Sequence, residues 1–184
     1  LNDKEISRLK SENFEEVQVE NRNYLYPKLI LNADKLVIFN QFNVNPQFNF
    51  NVSLFNLFHV IPSTSRRIDS NPEDFEEFIR KPNKVVGIDY YNHLIAQKVI
   101  DLYTIKKPDL VINDLFYVLE TAGPLIYTDS NLRKTALTVV GNEALSTDIV
   151  TLRLLDQNIY ENEIILNARE RKIGPKDLSE IEIL

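Results

Sequence analysis

Apolar positions along this chain follow two rhythms, the alternation of half-buried strands and the three-to-four spacing of helices. Glu15-Glu-Val-Gln-Val-Glu20 alternates and predicts a strand with one face toward a core. Lys35-Leu-Val-Ile-Phe39 and Asp109-Leu-Val-Ile112 are short continuous apolar runs, the pattern of strands covered on both faces. Lys134 to Val140 predicts a third such strand, ending at Gly141-Asn142. Helical spacing places Leu94, Ile95, Lys98, Val99 and Leu102 on a helix over Asp89 to Ile105, ended by Pro108. Ser146 to Leu155, with Ile149, Leu152 and Leu155 on one face, and Glu161 to Arg171 predict two more helices.

Shorter elements fill the gaps. Asp3 to Asn13 reads as a polar helix, and Pro27 to Asn32 as one helical turn with Pro27 at its first position. Ser53 is placed to cap a short helix through Leu54, Leu57 and Phe58, stopped by Pro62. Pro62 to Asn71 reads as a polar loop, and Asn71 to Ile79 opens like a helix, with Pro72 and acidic residues in its first turn. Between Asn40 and Asn51, asparagines alternate with Phe42, Phe48 and Phe50, which predicts a loop with its rings tucked inward. Ser179 to Leu184 alternates and predicts a final edge strand. Strands alternating with helices imply a single α/β domain over residues 1–184, with a mostly parallel sheet flanked by helices.

Composition narrows the function classes. A chain of 184 residues can bury one substantial core, and no apolar run is long enough to cross a membrane. No charged-then-apolar leader pattern opens the sequence, so a cytoplasmic location is expected. The net charge of −6, with basic residues only in short clusters such as Arg66-Arg67, argues against a nucleic-acid or membrane partner. Cysteine is absent, so this chain can supply neither an iron–sulfur cluster nor a thiolate metal site, and no cofactor is evident. His59 and His93 are too far apart for zinc spacing; His59, in an apolar stretch, reads as a packed residue. No glycine-rich phosphate loop and no Gly-x-Ser-x-Gly elbow occurs.

The candidate chemistry lies in the second half. Of only four glycines, Gly123, Gly141 and Gly174 sit in turn motifs, where positive φ or close backbone approach is needed. Asp114 directly follows a strand, and ligand sites in open α/β sheets gather at carboxyl strand ends. Asp114, Glu120 and Asp148 could form a carboxylate site for a metal or for proton transfer. They could equally be a turn acceptor and a helix-start carboxylate. Gly123-Pro124 either shapes a loop over a ligand or makes a plain tight turn. His93 on the long helix faces either a pocket or the core.

The order of these motifs resembles the domain of unknown function 362 family. Members carry a strand running into an Asp and then a Glu-x-x-Gly-Pro turn, here Asp114 and Glu120-Thr-Ala-Gly123-Pro124. A second strand and a small-residue helix start follow, here Thr138-Val-Val-Gly-Asn142 and Leu145-Ser-Thr-Asp148. A Gly-x-x-Asp-Leu turn and a last strand close the pattern, here Gly174-Pro-Lys-Asp-Leu178 and Glu180-Ile-Glu-Ile183. The resemblance is clearest over residues 108–184 and reaches back to Ala33-Asp34, with His93 in the place of a family histidine. The family's Pro-Lys-x-Lys-Thr-His element is replaced by Phe42-Asn-Val-Asn-Pro-Gln-Phe-Asn-Phe50, and the lysine of its Lys-Asn helix start by Phe55. The resemblance implies a domain that binds a small molecule or anion at its strand ends. The lost cationic residues keep open the alternative of a non-catalytic binding or assembly module. Oligomeric state is left open.

Overall fold

The computed structural model describes residues 12–45, 48–66, 84–120, 131–175 and 177–184, the side chains of 84–89 excepted. Most of the helix predicted over Asp3 to Asn13, the whole of Asn71 to Ile79, and Gly123 and Pro124 lie outside these residues.

The chain enters through a hairpin of β1 (Phe14–Val19) and β2 (Arg22–Pro27), antiparallel with Val17 opposite Tyr24. Alternation places Tyr24 and Tyr26 in the core. A single turn, α1 (Lys28–Leu31), leads to β3 (Val37–Gln41). The Asn/Phe segment forms a tiny ribbon, β4 (Val44–Asn45) with β5 (Asn49–Phe50), and its three phenylalanines are buried as expected. Helix α2 (Phe55–Val60) and the turn α3 (Ser63–Arg66) follow. The 22-residue α4 (Lys84–Ile105) is the main helix, where the spacing predicted it. After it come β6 (Leu110–Asp114), β7 (Tyr117–Leu119), β8 (Leu132–Lys134), β9 (Thr138–Gly141), α5 (Ala144–Leu154) and α6 (Glu163–Glu170).

The fold is mixed α/β, built on a three-stranded sheet in the order β3-β6-β9. β3 and β6 are parallel, joined by a crossover that includes α4, while β9 runs antiparallel to β6. β7 and β8 form a separate antiparallel ribbon. Among the described strands only one pair is parallel, so the sheet is mixed rather than mostly parallel. The sequence misleads here because Lys134 to Val140 is not one strand. Thr135 and Ala136 turn back and donate their N–H groups to the Phe116 carbonyl, with Ala136 at φ 56, which splits the run in two.

Helices cover one face of this sheet. Ile38, Asn40, Val111 and Asn113 point into the core against α2, α4 and α5. The other face is open among the described residues: Val37 is 53% exposed, Phe39 67% and Val140 58%. β3 is therefore a one-sided strand, not one covered on both faces. Its apolar run reflects a core face and an uncovered apolar face together.

Two further expectations change. Ser179 to Leu184 is not an edge strand; Asp177 accepts from the Ser179 N–H and caps a 3₁₀ turn at Leu178–Glu180, which ends any extended run. Ser53 does not cap α2 with its own hydroxyl. That hydroxyl donates to Asp148, and the cap comes from a different element.

Candidate functional site

Each core strand ends its apolar run at an asparagine, Asn40 in β3 and Asn113 in β6, and the parallel register sets the two side by side. Asn40 Nδ2 donates to Asn113 Oδ1 at 3.1 Å, and Asn56 Nδ2 of α2 donates to Asn40 Oδ1 at 3.2 Å. Asn113 Nδ2 in turn donates to Thr151 Oγ1 and to Asp148 Oδ1 of α5, both at 2.9 Å. Asp148 also accepts from the Ser53 N–H at 2.9 Å, the Ser53 hydroxyl at 3.0 Å and the Leu54 N–H at 3.3 Å. A carboxylate on α5 thus satisfies the amides that open α2. Asp148 is wholly buried, and burial pushes its pKa up to about 6 against the opposing pull of the Asn113 and Ser53 hydrogen bonds. This junction ties together α2, β3, β6 and α5 beneath the strand ends.

The N-terminus of α5 carries a second carboxylate. Glu143 accepts from the Leu145 and Ser146 N–H groups, from the Ser146 hydroxyl at 2.6 Å, and from the buried Tyr103 hydroxyl. Burial opposes its charge, but the Ser146 and Tyr103 hydrogen bonds outweigh it and hold the carboxyl below the usual range. Burial, reinforced by Glu143, drives the Tyr103 hydroxyl far upward. At Gly141, just ahead of this cap, a Cβ would collide with the Thr147 side chain; Gly174 sits at φ 72 against Leu145. Two of the glycines picked out by sequence thus answer to close approach and to positive φ.

The remaining predicted residues lie apart from this junction. Asp114 ends β6 and accepts from the Phe116 N–H at 2.9 Å, a local turn bond. Glu120 pairs with Arg133 at 3.2 Å and accepts from Asn131. His93 lies on α4 between Gln97 at 3.0 Å and Glu163 of α6 at 3.6 Å, with its side chain 36% exposed. His59 meets Phe55 edge-on, but it is exposed and not packed as its apolar stretch implied; partial desolvation and the nearby Arg66 charge lower its pKa. Asp114, Glu120 and Asp148 therefore occupy three environments: a turn, a surface ion pair and the interior. Only Glu120 borders a cleft of about 370 Å³ beyond the strand ends, together with Val44, Asn45, Asn49, Phe50, Val118, Leu155, Gln157 and Glu161. Among the described residues no three His, Asp or Glu side chains gather as metal ligands. No helix among them is long and apolar enough to cross a membrane.

The chain matches the family described as Domain of unknown function (DUF362) over residues 2–153. It belongs to that family. No curated protein and no solved structure matches it. The DUF362 match takes in the hairpin, the three-stranded sheet and most of α5. It begins well before Ala33 and stops before the Gly174-Pro-Lys-Asp-Leu178 turn, so the resemblance read there lies beyond the matched residues. The altered segment from Phe42 to Phe55 is inside the DUF362 match, and here it supplies buried rings and the Ser53 and Leu54 N–H groups that Asp148 caps.

The Asn40–Asn113 pair, the Ser53–Asp148 bond and the Glu143 cap were not singled out by sequence. A signal existed for the asparagine pair. Leu36-Val-Ile-Phe-Asn40 and Leu110-Val-Ile-Asn113 break off at the same residue type, which parallel pairing would align. For Ser53 and Asp148, 95 residues apart, only the tertiary structure supplies the link.

Proposed function

We propose that this domain binds a small polar molecule in the cleft beyond the carboxyl ends of β3 and β6. One observation carries the reading: the cleft is rimmed by the amides of Asn45, Asn49 and Gln157 and the carboxylates of Glu120 and Glu161, over an apolar floor of Val44, Phe50, Val118 and Leu155. Amides offer donors and acceptors together, and a few polar groups over an apolar floor are how ligand pockets fix orientation. Arg133 offsets the charge of Glu120, but Glu161 still repels an anion, so the lining favours a neutral polyol or an amine over a phosphate. The segments that follow β3 and β6 supply Val44, Asn45, Val118 and Glu120 to the cleft, which supports the reading because open α/β sheets gather ligands beyond their carboxyl strand ends. Asp148 takes no part in it, since its oxygens are held by Ser53, Leu54 and Asn113 inside the fold.

The test is a titration followed through side-chain amide signals, with three probes: 1,4-diaminobutane, glucose and inorganic phosphate. The diamine or the sugar is expected to move the Asn45, Asn49 and Gln157 signals, and Glu161→Gln to weaken the diamine response. Silence of these amides toward both probes overturns the reading. A response to phosphate alone replaces it with an anion site. The alternative, a non-catalytic binding or assembly module that keeps the fold without the family's site, draws support from the structural roles of Asp148 and Asp114.

A further inference from the structure

The geometry points to the open edge of β3 as a strand-pairing surface for a second copy of this chain. In β3 the backbone of the even-numbered residues faces β6: the Leu36 carbonyl accepts from Asp109 and Leu110, and the Phe42 N–H donates to the Asp114 carbonyl. Val37, Phe39 and Gln41 therefore direct their N–H and C=O groups away from β6, to an edge that pairs with no other described strand. Proteins normally protect such an edge with charge, proline or a bulge. Val37 to Gln41 contains none of these, and it presents Val37 and Phe39 largely exposed. Beside it, Ile30, Leu36, Leu57 and Val60 wall an apolar groove of about 200 Å³. Backbone groups in a row beside an apolar groove recognise another extended strand.

The edge is complementary to itself, which selects the occupant. Antiparallel pairing about a two-fold axis at Phe39 sets Phe39 against its own copy, Val37 against Gln41 and Lys35 against Asn43. No like charges then oppose one another, and the outward N–H and C=O groups of Val37, Phe39 and Gln41 meet in register. On the open face, the cross-strand row Val140, Ile112, Phe39 continues into the same row of the copy. An aromatic pair at its centre adds to the pairing.

Sedimentation velocity of the full 184-residue chain over a wide concentration range is expected to show a monomer–dimer equilibrium. Phe39→Lys places two like charges face to face and is expected to weaken the dimer by about tenfold or more. The chain has no cysteine, so Phe39→Cys introduces a single thiol. Antiparallel hydrogen-bonded pairs hold their Cα atoms about 5.5 Å apart, within disulfide reach, so this variant is expected to cross-link on oxidation. Leu132→Cys, an exposed position on β8, is the control and is expected not to. A monomer at every concentration, a dimer indifferent to Phe39→Lys, or equal cross-linking at positions 39 and 132 each overturns the proposal.

Discussion

Asp101 and Asp148 are both fully buried, yet they are accommodated by different means. Asp101 on α4 meets guanidinium groups, Arg171 at 2.6 Å and Arg22 at 3.8 Å, and accepts from the Tyr24 hydroxyl at 2.5 Å. Asp148 on α5 meets only neutral donors from Ser53, Leu54 and Asn113. Burial raises the pKa of both. The first arrangement fastens the β1–β2 hairpin and the end of α6 onto α4, with Arg171 reaching on to Glu20 at 3.0 Å. The second fastens α2 and the sheet onto α5. A charge pair can span elements that arrive from opposite ends of the chain, because it needs only two long side chains to meet. A cage of dipoles needs several groups already in register, so it sits where the parallel strands have fixed that register.

The largest effect is expected from breaking the charge pair. Arg171→Leu leaves Asp101 with Tyr24 and the more distant Arg22, and is expected to lower unfolding free energy by about 3 kcal/mol, measured by urea denaturation. Asp148→Asn keeps the shape but sets an amide NH₂ against donors; a loss of about 2 kcal/mol at neutral pH is expected in the same assay. If Asp148→Asn costs nothing, the cage is not holding α2 to α5.

Acidification acts on Asp148 and Glu143 in opposite senses. The folded pKa of Asp148 lies near 6, above its unfolded value, so its contribution is fully present below the unfolded pKa and is lost as pH rises through 6. Between about pH 7 and about pH 5, wild type is expected to gain about 1 kcal/mol relative to Asp148→Asn. A constant difference between the two proteins across that range would contradict the raised pKa. Glu143 works in the opposite sense: its lowered carboxyl contributes above its unfolded pKa and that contribution is lost on acidification, which is why the comparison must be made against the variant.

The smallest effect belongs to the exposed pair of Glu120 and Arg133. Arg133→Ala is expected to change stability by only about 0.3 kcal/mol, less at high salt, because water screens both partners. A loss comparable with that of Asp148→Asn would mean that Glu120 is more deeply held than its surface pairing allows.

Much of the local architecture was legible in the sequence. Alternation found β1, helical spacing found α4, α5 and α6, and apolar runs found β3 and β6, because each pattern reports a periodic burial that neighbouring residues impose. The phenylalanines of the Asn/Phe loop were read correctly as inward-facing for the same reason. Strand direction was not legible. β9 carries apolar residues like a covered strand, but whether it runs with or against β6 depends on the turn at Thr135 and Ala136 and on a ribbon that pairs elsewhere. The candidate carboxylates were visible as residue types, but their roles were not. Asp114, Glu120 and Asp148 share a charge and differ in what surrounds them.

By itself the sequence determined a family, a set of helices and strands, and a segment of rings and amides. Tertiary structure alone decided that Ser53 and Asp148 meet, that among the described residues one face and one edge of the sheet stay open, and that Glu120 rather than Asp148 borders a cleft. The reason is physical. Periodicity is local and survives in one dimension, whereas desolvation and hydrogen-bond partnership depend on which distant residues the fold brings within about 3 Å.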